Sequence, residues 1–105
     1  MTDAHRIHFE DDSIHEGSLL SAGFKVGNLI YISGQVAVNE NREIVGVGDF
    51  KAQVHQTFAN ISRILEASGS SLAKVVHTTT YVTDIETARK DWLGMAQLNV
   101  VERLK

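Results

Sequence analysis

The chain has 105 residues, of which 43% are apolar and 22% are charged, and its formal net charge is −3. A chain of this length can bury one hydrophobic core, so we expect a single domain over residues 1–105. Cysteine is absent, which excludes disulfides, thiolate nucleophiles and cysteine-ligated zinc. The ten Lys and Arg residues are scattered instead of forming a basic patch, so we expect no nucleic-acid partner.

The N-terminal sequence MTDAHRIHFEDD lacks the apolar run that precedes the cleavage site of a secretory leader. No run of about 18 uncharged apolar residues, the length that spans a bilayer, occurs anywhere in the sequence. We therefore expect a cytoplasmic protein without a membrane partner.

A hairpin is predicted in the first third of the chain. Arg6 to Phe9 could form a short first strand, and Ser18 to Val26 alternates apolar and other residues as a second strand does. The Gly27-Asn28 pair that follows is a tight-turn signal, so the chain is expected to return as a third strand from Leu29.

The third predicted strand, Asn28 to Asn39, has two unlike faces. One face is apolar and suits a core: Ile30, Ile32, Gly34, Val36, Val38. The other suits neither open water nor a dry core: Leu29, Tyr31, Ser33, Gln35, Ala37. Gly34 marks either a bulge, the close approach of another backbone or a ligand, or a helix packed tightly over the strand.

The clearest predicted element is a helix that begins after Asp49 and ends near Gly69. Asp49 is a suitable N-cap, and Gly69 stands where a left-handed residue closes a helix. The apolar residues between them recur at helical spacing and predict a core-facing stripe: Phe50, Val54, Phe58, Ile61, Ile64, Leu65.

A strand over Lys74 to Asp84 is predicted from its β-branched residues. With the strand and helix before it, it predicts a right-handed parallel βαβ crossover. The pattern from Glu86 to Lys105 is helical, but Gly94 and Asn99 weaken it. Its last part, Leu98 to Lys105, could finish that helix or form a strand.

Five histidines and one acidic run raise the question of a metal site. His5, His8, His15, His55 and His77 show no metal-binding spacing, and Glu10 to Asp12 is interpreted as a solvated loop, so no metal is predicted. His77 shares a predicted strand face with Thr79 and Tyr81 and could line a cleft. Ser33 lacks the context of a nucleophilic serine.

The stretches KVGNLIYISGQVAVN and GVGDFKAQVHQTFANISRILEASGSSLAKVVHTTTYVTDI resemble the YjgF-type reactive intermediate deaminase (Rid) family, also called the endoribonuclease L-PSP family. The resemblance covers Phe24 to Ile85. It implies an α+β fold of the chorismate-mutase-like type, in which a ferredoxin-like βαβ sheet carries two helices on one face. It also implies homotrimers, in which three sheets form a barrel with a small-molecule cleft at each subunit boundary.

The resemblance further implies hydrolysis of enamines and imines, such as 2-aminoacrylate, to keto acids and ammonia without a cofactor. Ser33 and Gly34 match cleft positions of the family, and the mixed strand face would add Tyr31 and Gln35. The family's hairpin tyrosine falls on Leu20, and its second-helix asparagine falls at or near Trp92. Trp92 is included among the candidate ligand-binding residues, and no catalytic residue is assigned.

The family's arginine and glutamate belong to a C-terminal segment whose strands are truncated in this sequence. Glu102 and Arg103 come close to that position but are interpreted as solvated surface. The resemblance implies that one missing strand lies in the middle of the sheet, and the gap could be filled by Arg6 to Phe9, by Leu98 to Lys105 or by a segment of another subunit. Of these we favour Leu98 to Lys105. Three hypotheses for the function remain: a metabolite-binding protein with weak or lost deaminase activity, an active deaminase, and a shortened paralogue with a structural or interaction role.

Overall fold

The computed structural model describes residues 4–7 and 22–95, without the side chains of residue 6 and residues 92–95. The described elements, in chain order, are three strands, a long helix, a short 3-10 turn and a second helix: β1 (Ala4–Arg6), β2 (Gly23–Val26), β3 (Leu29–Ile32), α1 (Phe50–Ala67), the turn (Leu72–Lys74) and α2 (Ile85–Met95). An α+β architecture is therefore confirmed.

The three strands form an antiparallel sheet in the order β1-β2-β3. Val26 pairs with Leu29 across a two-residue turn in which Gly27 has a φ of 60°. The predicted hairpin is thus confirmed, because a positive φ is what the turn demands of this glycine. β1 begins at Ala4, earlier than predicted, and residues 8–21, including the start of the predicted second strand and Leu20, lie outside the described part.

The third strand ends at Ile32, so its predicted continuation to Asn39 is wrong. After Ser33 the chain leaves the ladder, and a hydrogen bond from the Val38 N–H to the Val36 carbonyl (2.9 Å) closes a tight turn. This turn takes Val36 away from the core, and 66% of the residue is exposed. The predicted apolar face therefore holds for Ile30 and Ile32 but not for Gly34 and Val36.

A polar turn follows Val38. The Asn39 side-chain oxygen accepts hydrogen bonds from the Asn41 and Glu43 N–H groups, and the returning chain makes a single bridge between Val38 and Ile44. Beyond it, Gly46 and Gly48 both have positive φ and lead into α1. The arm from Ile44 to Val47 forms no strand beyond that single bridge.

The predicted caps of α1 are confirmed. The Asp49 side chain accepts a hydrogen bond from the Ala52 N–H at 3.1 Å. At the other end Gly69 has a φ of 80°, its N–H donates to the Glu66 carbonyl, and the Ser70 N–H donates to the Leu65 carbonyl. This bonding pattern is the Schellman motif, which closes a helix on a left-handed residue.

The core lies between α1 and one face of the sheet. Val54, Phe58 and Leu65 form a buried cluster with Leu72, and Ile30 and Ile32 of β3 pack against it. A second cluster joins Ile7, Ala22 and Ile64. The Lys25 ammonium adds a tie by donating to the Ser68 carbonyl at the end of α1 (3.2 Å).

The predicted strand over Lys74 to Asp84 is not formed, and neither is the parallel βαβ crossover that depended on it. After the 3-10 turn the chain has no strand pairing among the described residues, and Val76 and Tyr81 are 94% and 92% exposed. β-branched residues favour a strand only where a neighbouring strand offers pairing and burial. The described residues offer this stretch neither.

The second helix, α2, begins at Ile85 and contacts α1, with Ala88 buried. Asp84 precedes it, and its carboxylate accepts hydrogen bonds from the Glu86 and Thr87 N–H groups and from the Thr87 hydroxyl. Residue 84 is therefore a helix cap instead of the end of a strand. The stretch Leu98 to Lys105, predicted to fill the sheet, lies outside the described residues.

Candidate functional site

Ser33 is the first residue after β3 and is held to the neighbouring strand. Its N–H and its hydroxyl both donate to the Ala22 carbonyl at 3.0 Å. The Gln35 amide donates in turn to the Ser33 carbonyl and hydroxyl oxygens, at 3.1 and 3.4 Å. No ionisable group takes part in these bonds. In the described structure the hydroxyl therefore anchors the chain.

Gly34 is exposed, and a Cβ added to it would meet no described atom within 4 Å. The prediction that a helix could pack tightly over this glycine is therefore wrong. Its φ is not among the positive ones, so the backbone does not demand a glycine either. Within the described part of the chain, the missing side chain leaves space open beside the backbone.

Tyr31 lies on the sheet face turned away from α1, and 61% of it is exposed. It pairs directly with Phe24 on β2, which is 42% exposed. The structure thus brings Tyr31, Ser33, Gly34 and Gln35 together at one end of β3. Trp92 lies on α2, and its side chain is outside the described part.

Three amide side chains of α1, which the sequence analysis did not single out, make hydrogen bonds along one side of the helix, and one of them, Asn60, reaches the segment next to the candidate site. The Asn60 amide nitrogen donates to the Val36 and Val38 carbonyls at 3.0 and 2.9 Å. Gln56 donates to the Asn60 side-chain oxygen at 2.9 Å, and Gln53 donates to the Gly46 carbonyl at 2.7 Å. Their spacing of three and four residues places all three amides on one side of α1, and this signal was available in the sequence.

Charged groups contribute little to this region. The one described pKa shift belongs to Asp84 at the start of α2, far along the chain from Ser33. No group of three His, Cys, Asp or Glu residues in the described ranges could hold a metal ion. His77, expected to line a cleft, is exposed and contacts the Thr79 hydroxyl at 3.4 Å.

Among the described helices, none is long and apolar enough to cross a membrane.

A family model described as Endoribonuclease L-PSP matches residues 13–94. The chain belongs to the endoribonuclease L-PSP family. The matched residues include the end of β3, the α1 amides and Asp84. The resemblance inferred from the sequence motifs is thereby confirmed.

Several curated relatives align with this L-PSP chain. A RutC family protein of Pyrococcus abyssi is 38% identical over 65 residues, which cover 62% of this chain and 51% of the relative. A protein named 2-iminobutanoate/2-iminopropanoate deaminase from Dermatophagoides farinae is 31% identical over 62 residues, 59% of this chain and 48% of the relative. A protein named 3-aminoacrylate deaminase RutC from Acinetobacter baylyi is 31% identical over 77 residues, 73% and 56% of the two chains.

The aligned segment of the L-PSP chain thus spans about half the length of these relatives.

Proposed function

We propose that this L-PSP chain binds a small metabolite in a cleft between the subunits of a homotrimer, with weak or absent deaminase activity. Ser33 and Gly34 line the cleft, and Tyr31 and Gln35 stand beside them. The observation that carries the proposal is the open space at Gly34, which neither the backbone conformation nor a described neighbour explains. A glycine in such a place lets another molecule approach the backbone closely.

The sheet supports the assembly. Phe24, Leu29 and Tyr31 present a largely apolar surface on the side away from α1, with 42%, 54% and 61% of each residue exposed. Contiguous apolar patches of this kind mark interfaces, and a symmetric assembly buries the same patch on each copy. The Tyr31 hydroxyl is suited to the edge of such an interface, where one end of the ring is wet.

The names of the relatives support a proposal for the substrate class. Two of them are named as deaminases of 2-iminobutanoate/2-iminopropanoate and of 3-aminoacrylate, which are small carboxylates. Deamination adds water to an imine or enamine and releases ammonia and an oxo acid, which is a keto acid for the 2-imino acids. We therefore take a short keto acid or its imine as the ligand of this chain.

Weak activity is proposed because the hydrogen bonds seen at Ser33 and Gln35 in the described part of the chain join them to each other and Ser33 to the Ala22 carbonyl, without an ionisable side chain. An arginine clamp on the substrate carboxylate would supply charge-assisted, bidentate hydrogen bonds, and water addition needs a group that moves a proton. Glu102 and Arg103, the nearest charged pair to the position implied by the family resemblance, lie outside the described residues.

The second candidate, an active deaminase, is favoured by the names of the relatives. A turnover assay separates the two. Ammonia release from freshly generated 2-aminoacrylate is measured with the chain, with a full-length L-PSP protein and with buffer. We expect a rate close to buffer alone; a rate comparable to the full-length protein would establish the active enzyme.

Binding is tested separately by titration with 2-oxobutanoate. Gly34→Ala and Gly34→Val place side chains of increasing size in the open space, and both variants should keep the circular dichroism spectrum of the unsubstituted chain. We expect affinity to fall with side-chain size. Equal affinity of all three proteins would remove Gly34 from the site. If no form of the chain binds any keto acid, the hypothesis of a structural or interaction role is favoured.

A further inference from the structure

We propose that Asn60 is a positioning residue for the candidate cleft. Its side chain holds the segment from Ser33 to Val38 against α1 and thereby sets the place of Gly34. The inference rests on the proposed function for its effect on ligand binding. Its structural half, the control of the segment by Asn60, stands on hydrogen bonds alone.

The Asn60 amide uses both of its N–H groups and its oxygen. The nitrogen donates to the Val36 and Val38 carbonyls, and the oxygen accepts from the Gln56 amide. Carbonyl oxygens can only accept, so the nitrogen must face the segment and the oxygen must face Gln56. Gln56 thus fixes the orientation in which Asn60 offers two donors.

The segment needs such a tie because it has left the sheet. Ser33 makes the last hydrogen bond to Ala22, and the next link between distant backbone groups runs from the Val45 N–H to the Ala37 carbonyl (2.8 Å). Gly34 lies between these two points. The two Asn60 bonds span 24 and 22 residues of sequence and reach this stretch from the rigid helix.

The two carbonyls also define the shape of the turn. The Val36 carbonyl accepts from both Asn60 and the Val38 N–H, so the side chain bonds to the same oxygen that closes the turn. Because Asn60 hydrogen-bonds to the first and last residues of the turn, it fixes the direction of the turn as well as the distance of the turn from α1. The direction decides whether the space at Gly34 faces a ligand.

Loss of these bonds should affect geometry more than stability. The bond to Val36 is exposed and the bond to Val38 is only partly buried, so water can replace the amide at either carbonyl. The chain then folds, but the segment is no longer held in one place. A variant without these bonds should therefore lose more ligand affinity than its small decrease in melting temperature would explain.

The experiment compares Asn60→Ala and Asn60→Asp with Gln53→Ala. Aspartate keeps the shape of asparagine but offers no donor to the two carbonyls when ionised. Gln53→Ala is the matched control, because it removes the same kind of bond, an amide to the Gly46 carbonyl, from a loop farther along the chain. For each protein we would record the backbone amide spectrum, amide hydrogen exchange, the melting temperature and the affinity for 2-oxobutanoate.

We expect both Asn60 variants to shift the amide signals of residues 34–38, to speed their exchange and to weaken 2-oxobutanoate binding by about tenfold. Gln53→Ala should lower the melting temperature at least as much and leave those signals and the affinity unchanged. Unchanged signals for residues 34–38 in Asn60→Ala would overturn the proposal. So would an affinity that follows melting temperature across all variants, Gln53→Ala included.

If the unsubstituted chain does not bind 2-oxobutanoate, the proposed ligand class is wrong. The amide signals and exchange rates of residues 34–38 then decide the role of Asn60 by themselves. The two failures are therefore distinguishable in one set of samples.

Discussion

Phe24 and Tyr31 lie directly opposite each other on β2 and β3, and both side chains are exposed on the sheet face away from α1. An aromatic pair in this register stabilises the strand pairing and also creates a flat apolar surface. On a solvated sheet face, polar residues would be expected at both positions. The pair therefore identifies the surface on which the proposed trimer depends.

The first prediction is that a charge at this pair prevents assembly. Light scattering of the unsubstituted chain should give about three times its mass of 11.6 kDa at micromolar concentration. Tyr31→Glu should give a monomer, because a buried unpaired carboxylate at an interface is strongly unfavourable. Ala59→Glu, at an exposed position of α1, is the control and should leave the mass unchanged. A monomeric unsubstituted chain would refute the trimer.

The second prediction concerns Gly23, which the sequence analysis did not single out. A Cβ at this position would collide with the Tyr31 carbonyl oxygen, a backbone atom of the neighbouring strand. Gly23→Ala must therefore push β2 and β3 apart, and we expect a loss of about 1–3 kcal/mol in the free energy of unfolding. Urea denaturation measures it. Gly34→Ala, where space is open, should change stability by less than about 0.5 kcal/mol.

The third prediction separates two costs in the arm that leads into α1. Gly46 and Gly48 have nearly the same positive φ, 76° and 75°, but a Cβ at Gly46 would also lie 2.9 Å from the Ala52 Cβ. Gly48→Ala should lose about 1–2 kcal/mol, the cost of a left-handed alanine. Gly46→Ala should lose more stability, because a steric contact with Ala52 adds to the strain of the left-handed backbone. If thermal denaturation shows equal losses of stability in the two variants, α1 can shift to make room for the added Cβ without destabilising the fold.

The fourth prediction is a pH dependence of α2. The Thr87 hydroxyl, followed by the Thr87 and Glu86 N–H groups, holds the pKa of Asp84 below its ordinary value of 3.8. Because the folded-state pKa is the lower one, the stabilisation is complete above about 3.8 and is lost as the pH falls through the folded-state value. Amide exchange of Glu86 and Thr87, corrected for the intrinsic rate, should therefore quicken as the pH falls below 3.8.

Asp84→Asn is the control for this titration, because the amide keeps one acceptor and cannot ionise. Its exchange should show no step in the same pH range after correction for the intrinsic rate. If the step persists in the variant, another group controls the start of α2.

The sequence was most informative where local rules decide the structure. Asp49 and Gly69 were predicted as the caps of α1 from chemistry that acts within a few residues, and both predictions are confirmed. The Gly27-Asn28 turn is of the same kind. The alternation of Ile30 and Ile32 with Leu29 and Tyr31 also predicted which face of β3 meets the helix.

Prediction failed where distant partners decide the structure. The stretch from Lys74 to Asp84 has the composition of a strand, but pairing depends on a neighbour that composition does not reveal. The Val36 carbonyl in the turn after β3 accepts a hydrogen bond from Asn60, 24 residues away. The local signal, Gly34, left open whether the strand ends there. Within the candidate site, the sequence indicated Ser33 and Gly34 but not the amide that reaches their segment.

The placement of the two tyrosines gives the chain its own optical reporters. Tyr31 and Tyr81 are its only tyrosines. Tyr31 lies on the sheet face and is 61% exposed, and Tyr81 lies in the stretch before α2 and is 92% exposed. Phenol absorbance and nitration rate both respond to whether the ring is in contact with water. Each tyrosine therefore reports whether its own surface is covered, and mass spectrometry of the nitrated peptides distinguishes one surface from the other without any introduced label.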